Sequence, residues 1–223
     1  RIIQMGEEAW RVTVSGAPSL DNLKALPLLG PDELCCRFGL RLLPAPLLVT
    51  YHPVTLDPAG PEPPMRELLA ALAHFPQAHI VFTKPNADTR SRVIGELIDR
   101  YVADHPERAC VHVSLGQVRY LSTIRHTSAV IGNSSSGLIE VPAFGKPTIN
   151  LGIRQRGRLL ASSVIGCQED AHSIASAIER ALSPRFQRSL RKIISPYGRG
   201  GASHRIKDRL KALDLRHVLM KHF

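Results

Sequence analysis

The chain has 223 residues, 43% hydrophobic and 22% charged, enough to bury one full core and part of another. Its richest apolar run, Leu40 to Val49, is broken by Pro44 and Pro46, and no basic region with an apolar core opens the chain, so a cytoplasmic enzyme with no membrane partner is expected. A net charge of +10 would suit nucleic acid, but the excess lies beyond Arg185, where only Asp208 and Asp214 oppose a run of Lys and Arg, and aromatics for base stacking make up 5%; a solvated helix face is the simpler reading, with no nucleic-acid partner.

In chain order, Pro27 to Pro46 carries breakers at Gly30-Pro31-Asp32 and Pro44-Ala45-Pro46 around a short helix at 32–38, which marks a hinge. From Leu47 onward, strands at 47–51, 79–83, 110–113, 128–131 and 148–151 alternate with helices at 62–74, 89–104, 117–125 and 137–144. That alternation predicts an α/β protein with a doubly wound parallel sheet. Ligands bind such sheets beyond the carboxyl ends of the strands, which gathers His52, 84–86, 114–117, 133–136 and 152–154 on one rim. A surface helix at 170–182 turns Ile174, Ile178 and Leu182 inward. Past Pro196-Tyr197-Gly198, a last helix begins after Ser203 with Ile206, Leu210 and Leu213 on one stripe. Cys35, Cys36, Cys110 and Cys167 have no metal spacing and are expected as reduced, mostly buried thiols. None of the 10 histidines falls in an His-Glu-x-x-His frame, so no metal site is expected.

The most informative stretch is Gly132-Asn133-Ser134-Ser135-Ser136-Gly137-Leu138-Ile139-Glu140, where the strand Ala129-Val130-Ile131 turns into a helix. Small residues let a ligand approach the backbone, serines offer hydroxyls, and a helix N-terminus presents unpaired N–H groups with partial positive charge. Phosphate suits that site, although simple capping by Ser134 and Ser135 is the plain alternative. Glu140, one turn in, is misplaced for an anion but can accept hydrogen bonds from ribose hydroxyls. A second strand, Thr148 to Leu151, ends in the cationic loop Gly152-Ile153-Arg154-Gln155-Arg156-Gly157-Arg158.

The block from Ile131 to Arg158, with Met5-Gly6-Glu7, Gly16 to Asp21, Val49 to Thr55, Phe82 to Thr89 and Pro196 to Gly200 in order, resembles the UDP-hydrolysing branch of the UDP-N-acetylglucosamine 2-epimerases. The resemblance implies a Rossmann-like sheet forming the C-terminal domain of a two-domain, glycosyltransferase-B type fold. On that basis residues 1–44 are expected to be a remnant of the N-terminal domain plus hinge, with closing strands at 1–6 and 11–16; residues 45–202 are the nucleotide-binding domain and 203–223 a C-terminal helix and basic tail. The chain is expected to be a C-terminal fragment lacking the half that carries the catalytic acids.

The resemblance also implies roles. Ser134 and Ser135 contact the diphosphate, Arg154 lies near the nucleotide, Glu140 holds the ribose, and Asn86 joins them as a nucleotide-binding residue. Tyr120 aligns with an aromatic placed against uracil, packing being the alternative. His52 assists the departing oxygen, its pKa being near neutral. The reaction implied is elimination of UDP with proton loss at C2, then hydration to N-acetylmannosamine or a 2,4-diacetamido analogue, with no cofactor, a UDP-sugar as partner, and a homo-oligomer when full-length. The competing readings are a glycosyltransferase of the same architecture and a non-catalytic nucleotide-binding protein.

Overall fold

The computed structural model describes residues 1–40, 42, 45–54 and 58–214. Pro44 at the expected hinge boundary, Thr55 of the histidine motif, and the basic tail from 215 lie outside the described residues. In chain order the elements are α1 (Asn22–Ala25), α2 (Pro31–Phe38), β1 (Leu47–Thr50), α3 (Glu62–Ala73), β2 (Ile80–Thr83), α4 (Ser91–Asp104), β3 (Ala109–His112) and α5 (Gly116–His126). They continue with β4 (Ala129–Gly132), α6 (Ser136–Ala143), β5 (Thr148–Leu151), β6 (Val164–Cys167), α7 (Ala171–Leu182), α8 (Pro184–Ser189) and α9 (Ala202–Ala212).

The chain divides into two compact units, Leu26–Pro196 and a smaller one formed by Arg1–Ala25 with the chain from Tyr197 onward. In the larger unit the strand order is β3-β2-β1-β4-β5-β6 and all five pairings are parallel. Strands β1, β2, β4 and β5 are buried along their whole length, as expected when helices cover both faces. Leu47, Val49, Ile80, Phe82, Ile131 and Ile149 pack on one face against Met65, Leu68 and Leu72 of α3, Ile94 and Ile98 of α4, and Ile174 and Ile178 of α7. Each such side chain contributes about 2 kcal/mol of transfer free energy. The alternate residues Leu48 and Val130 point to the other face, which right-handed crossovers give to α5 and α6 with buried Leu121, Ile124, Leu138 and Val141.

Strand β6 and helix α8 were not foreseen. The first is four residues long with a glycine inside, and α8 is a six-residue turn that Ser183 caps through the Phe186 N–H ahead of Pro184. Residues 26–40, read from the sequence with the N-terminal remnant, belong to the larger unit, where the Leu29 N–H donates to Ser122 Oγ on α5. The mostly buried thiols are corrected too: α2 buries only Leu34, leaving Cys35 and Cys36 exposed, while Cys110 and Cys167 are half-buried. Burial, with the Asp170 and Glu169 carboxylates, pushes the Cys167 thiol up to about 12 and keeps it protonated.

In the smaller unit, the expected closing strands are absent. Ile3–Met5 and Ala9–Arg11 are single 3-10 turns, and 12–16 is irregular with Val14 89% exposed. A strand needs a paired neighbour, and among the described residues none is offered. Asp21 instead caps α9, accepting from the Ala202 and Ser203 N–H groups at 3.1 and 2.7 Å, and the Ser203 hydroxyl and N–H bonds hold its pKa down to about 2. The stripe on α9 is not a buried face: Ile206, Leu210 and Leu213 border a cavity of about 420 Å3 shared with Trp10, and Leu210 is 62% exposed.

Candidate functional site

The connections from β1 and β4 leave toward opposite faces of the sheet, so a crevice opens beyond the ends of these adjacent strands. Their close approach depends on Gly132. Its φ is +140°, and a Cβ there would run into the carbonyl of Thr50, with the carbonyl carbon only 2.6 Å away. Gly137 lets α6 lie on β5: an added Cβ would meet the Thr148 methyl at 2.7 Å, and the Thr148 hydroxyl donates to the Gly137 carbonyl.

A cavity of about 430 Å3 fills the crevice. Thr50 at the end of β1 and His52 beyond it, Thr83 at the end of β2 with 84–86 beyond it, 113–117 after β3, Tyr120 on α5, and Ser134 and Ser136 at the start of α6 line it. That volume suits a nucleotide-sized ligand. Of the residues read from the sequence, His52, Asn86, Tyr120 and Ser134 are brought together here, whereas Ser135, Glu140 and Arg154 stand outside the lining.

His52 is 6% exposed. The Asn86 backbone N–H donates to its Nδ1 at 3.3 Å, so Nδ1 is the acceptor and the neutral ring carries its proton on Nε2. Burial, and then the nearby Arg154 charge, lower its pKa below the ordinary 6.5, opposed by Asp88. The ring is thus a neutral hydrogen-bond donor at pH 7. Because the unfolded chain takes up this proton at higher pH, the stability His52 contributes is present above pH 6.5 and lost as pH falls through the folded pKa. The melting temperature is expected to drop on acidification below pH 6.5 and to do so less steeply in His52→Gln; identical slopes would remove His52 as the source.

Helix α6 starts without a side-chain cap from Ser135, and the Ser136 N–H reaches Ser134 Oγ only at 3.4 Å. Capping by a side chain therefore does not account for Ser135; the Gly137, Leu138 and Ile139 N–H groups donate to the Ser134 and Ser135 carbonyls at 3.0–3.1 Å, so the positive end of α6 is offered to an anion through its dipole and the weakly held Ser136 N–H. Tyr120 places its hydroxyl by those of Ser136 and Thr50, yet Tyr120 Oη and Ser136 Oγ are sealed from water without a partner of ordinary geometry. Arg154 Nη1 donates to the Asn133 carbonyl at 3.1 Å, and Lys84 is paired with Asp99 at 2.6 Å. Thr50 and Thr83, joined Oγ1 to Oγ1 at 2.8 Å, and the side chain of Asn133 were not singled out from the sequence; only the placement of strand ends side by side reveals them.

Strand order, seam and rim define a Rossmann-like parallel sheet of the glycosyltransferase-B type. The UDP-N-acetylglucosamine 2-epimerase family model matches residues 1–211, and the chain belongs to that family. It is 34% identical over its whole length to the GDP/UDP-N,N'-diacetylbacillosamine 2-epimerase (hydrolyzing) of Campylobacter jejuni, covering 58% of that protein. It is 31% identical over 96% of its length to the UDP-N,N'-diacetylbacillosamine 2-epimerase (hydrolyzing) of Legionella pneumophila, covering 55% of it. The chain thus spans a little over half the length of these relatives. Among solved structures, the UDP-GlcNAc 2-epimerase from Neisseria meningitidis bound to UDP-GlcNAc shares the fold, with a TM-score of 0.76 at 16% identity over 95% of this chain and 58% of that one.

Proposed function

We propose that this chain forms the nucleotide-binding part of a hydrolysing UDP-sugar 2-epimerase that acts in the cytoplasm. The observation that carries the reading is the meeting, at the β1–β4 seam, of a neutral His52 donor and the uncapped N-terminus of α6. In this reading the positive end of α6 with Ser134 and Ser135 holds the diphosphate, Arg154 adds positive charge, and Glu140 and Asn86 address the nucleoside. His52 Nε2–H donates to the oxygen that departs with UDP. Loss of the C2 proton and departure of UDP leave a glycal, and water adds to it to give the 2-epimeric free sugar. The base for C2 is assigned to the remaining part of a longer protein, so the 223-residue chain alone is expected to bind UDP without turning over substrate. The names of the relatives favour a 2,4-diacetamido sugar beside N-acetylglucosamine as substrate.

Product NMR of the longer protein in deuterated water tests the mechanism. Deuterium at C2 of a sugar released without an acceptor is expected. Retained C2 hydrogen would rule out elimination, and a need for an acceptor would turn the assignment to a glycosyltransferase.

A further inference from the structure

Asn133 sits among the phosphate-facing serines in sequence, but its side chain does something else. It is fully buried, at 0% exposure, and lies outside the cavity lining. Its Oδ1 accepts from the His52 N–H at 2.8 Å, and its Nδ2 donates to the His52 carbonyl at 2.8 Å. A parallel strand alongside β1 would satisfy those same two groups. Ladder pairing between β1 and β4 ends at Thr50 and Gly132, and the Asn133 N–H reaches the Thr50 carbonyl at 3.3 Å. The Asn133 amide then acts as one more peptide unit and prolongs the pairing beyond the strand ends to His52. An isolated loop residue at that point would leave two buried backbone groups unpaired.

The Asn133 carbonyl in turn accepts from Arg154 Nη1 at 3.1 Å and from buried Gln155 Nε2 at 2.7 Å. One residue thus joins the loops after β1, β4 and β5. Only a primary amide of this length fits. A carboxylate of the same shape accepts from the His52 N–H but opposes the His52 carbonyl with a second acceptor.

We infer that Asn133 is a positioning residue: it holds the His52 backbone so that Nδ1 meets the Asn86 N–H and Nε2–H is presented to the leaving diphosphate oxygen. The inference rests on the reading of His52 given above. It places no ligand contact on Asn133, so substrate affinity and imidazole geometry separate on substitution.

The experiment follows the His52 imidazole by 15N NMR in the 223-residue chain, with UDP affinity by calorimetry, for wild type, Asn133→Asp and Asn133→Ser. The wild type is expected to show the Nε2–H tautomer. Each folded variant is expected to show mixed tautomers, with UDP affinity within about threefold, as no phosphate contact is lost. In the longer enzyme, turnover is expected to fall about tenfold or more with the Michaelis constant little changed. His52 resonances identical to wild type in either folded variant would overturn the proposal, as would a loss of UDP affinity larger than the loss of turnover. The proposed role of His52 fails separately, if saturating UDP leaves the wild-type His52 resonances unmoved.

Discussion

Alanine at position 52 is expected, on the proposed function, to lower the turnover of a longer epimerase containing this chain about a hundredfold or more while leaving its Michaelis constant nearly unchanged. The reason is the timing of charge. On the proposed reading, the positive end of α6 and Arg154 would face a diphosphate that is anionic before and after reaction, and so would serve ground state and transition state alike. The bridging oxygen becomes more negative only as the bond to the sugar breaks, and in the proposed role a neutral Nε2–H, fixed by the Asn86 bond to Nδ1, would meet that new charge without reorganising. Arg154→Ala should show the reverse pattern, a raised Michaelis constant with a smaller change in turnover. Steady-state kinetics of the two variants separates these roles, and wild-type turnover in a folded His52→Ala protein would reduce His52 to a packing residue.

Alanine at position 132 is expected to cost more than about 4 kcal/mol, enough to leave little folded protein. Two penalties combine there. A residue with a Cβ rarely adopts φ +140°, and the added carbon would overlap the Thr50 carbonyl of the neighbouring strand, which is backbone and cannot swing away. Gly145→Ala is the matched comparison: its φ is +69° with nothing within 4 Å of the added carbon, so only the conformational cost, about 1 kcal/mol, applies. Chemical denaturation of the two variants gives the contrast, and equal losses would mean that crowding at the seam is not what Gly132 relieves.

Five of the six strands were legible because each is a short apolar run bounded by breakers, and a fully parallel sheet buries such runs on both faces. β6, Val164-Ile165-Gly166-Cys167, lies at the sheet edge beside β5, where half-exposure permits a weaker pattern. The opposite error arose at the N-terminus, where Val12 and Val14 alternate as a strand would; alternation records a preference that pairing must complete. For the site, a helix start rich in serine and a histidine two residues past a strand are local features. The exchange of hydrogen bonds between Asn133 and His52 joins positions 81 residues apart and depends on the lateral order of strands, which no local pattern encodes.

The strand order also bears on how the protein is assembled. Strands β1, β2 and β3 are neighbours in both sequence and space, and so are β4, β5 and β6. Each trio can zip up through short loop closures, but the joint between them, where Leu47 meets Ala129, closes the longest loop in the sheet. Entropy makes that joint the contact with the greatest closure cost, hence the one that gains most from anything bridging it. A nucleotide seated across the loops of β1 and β4 would act as such a clasp, tying the two trios together where the chain itself ties them least.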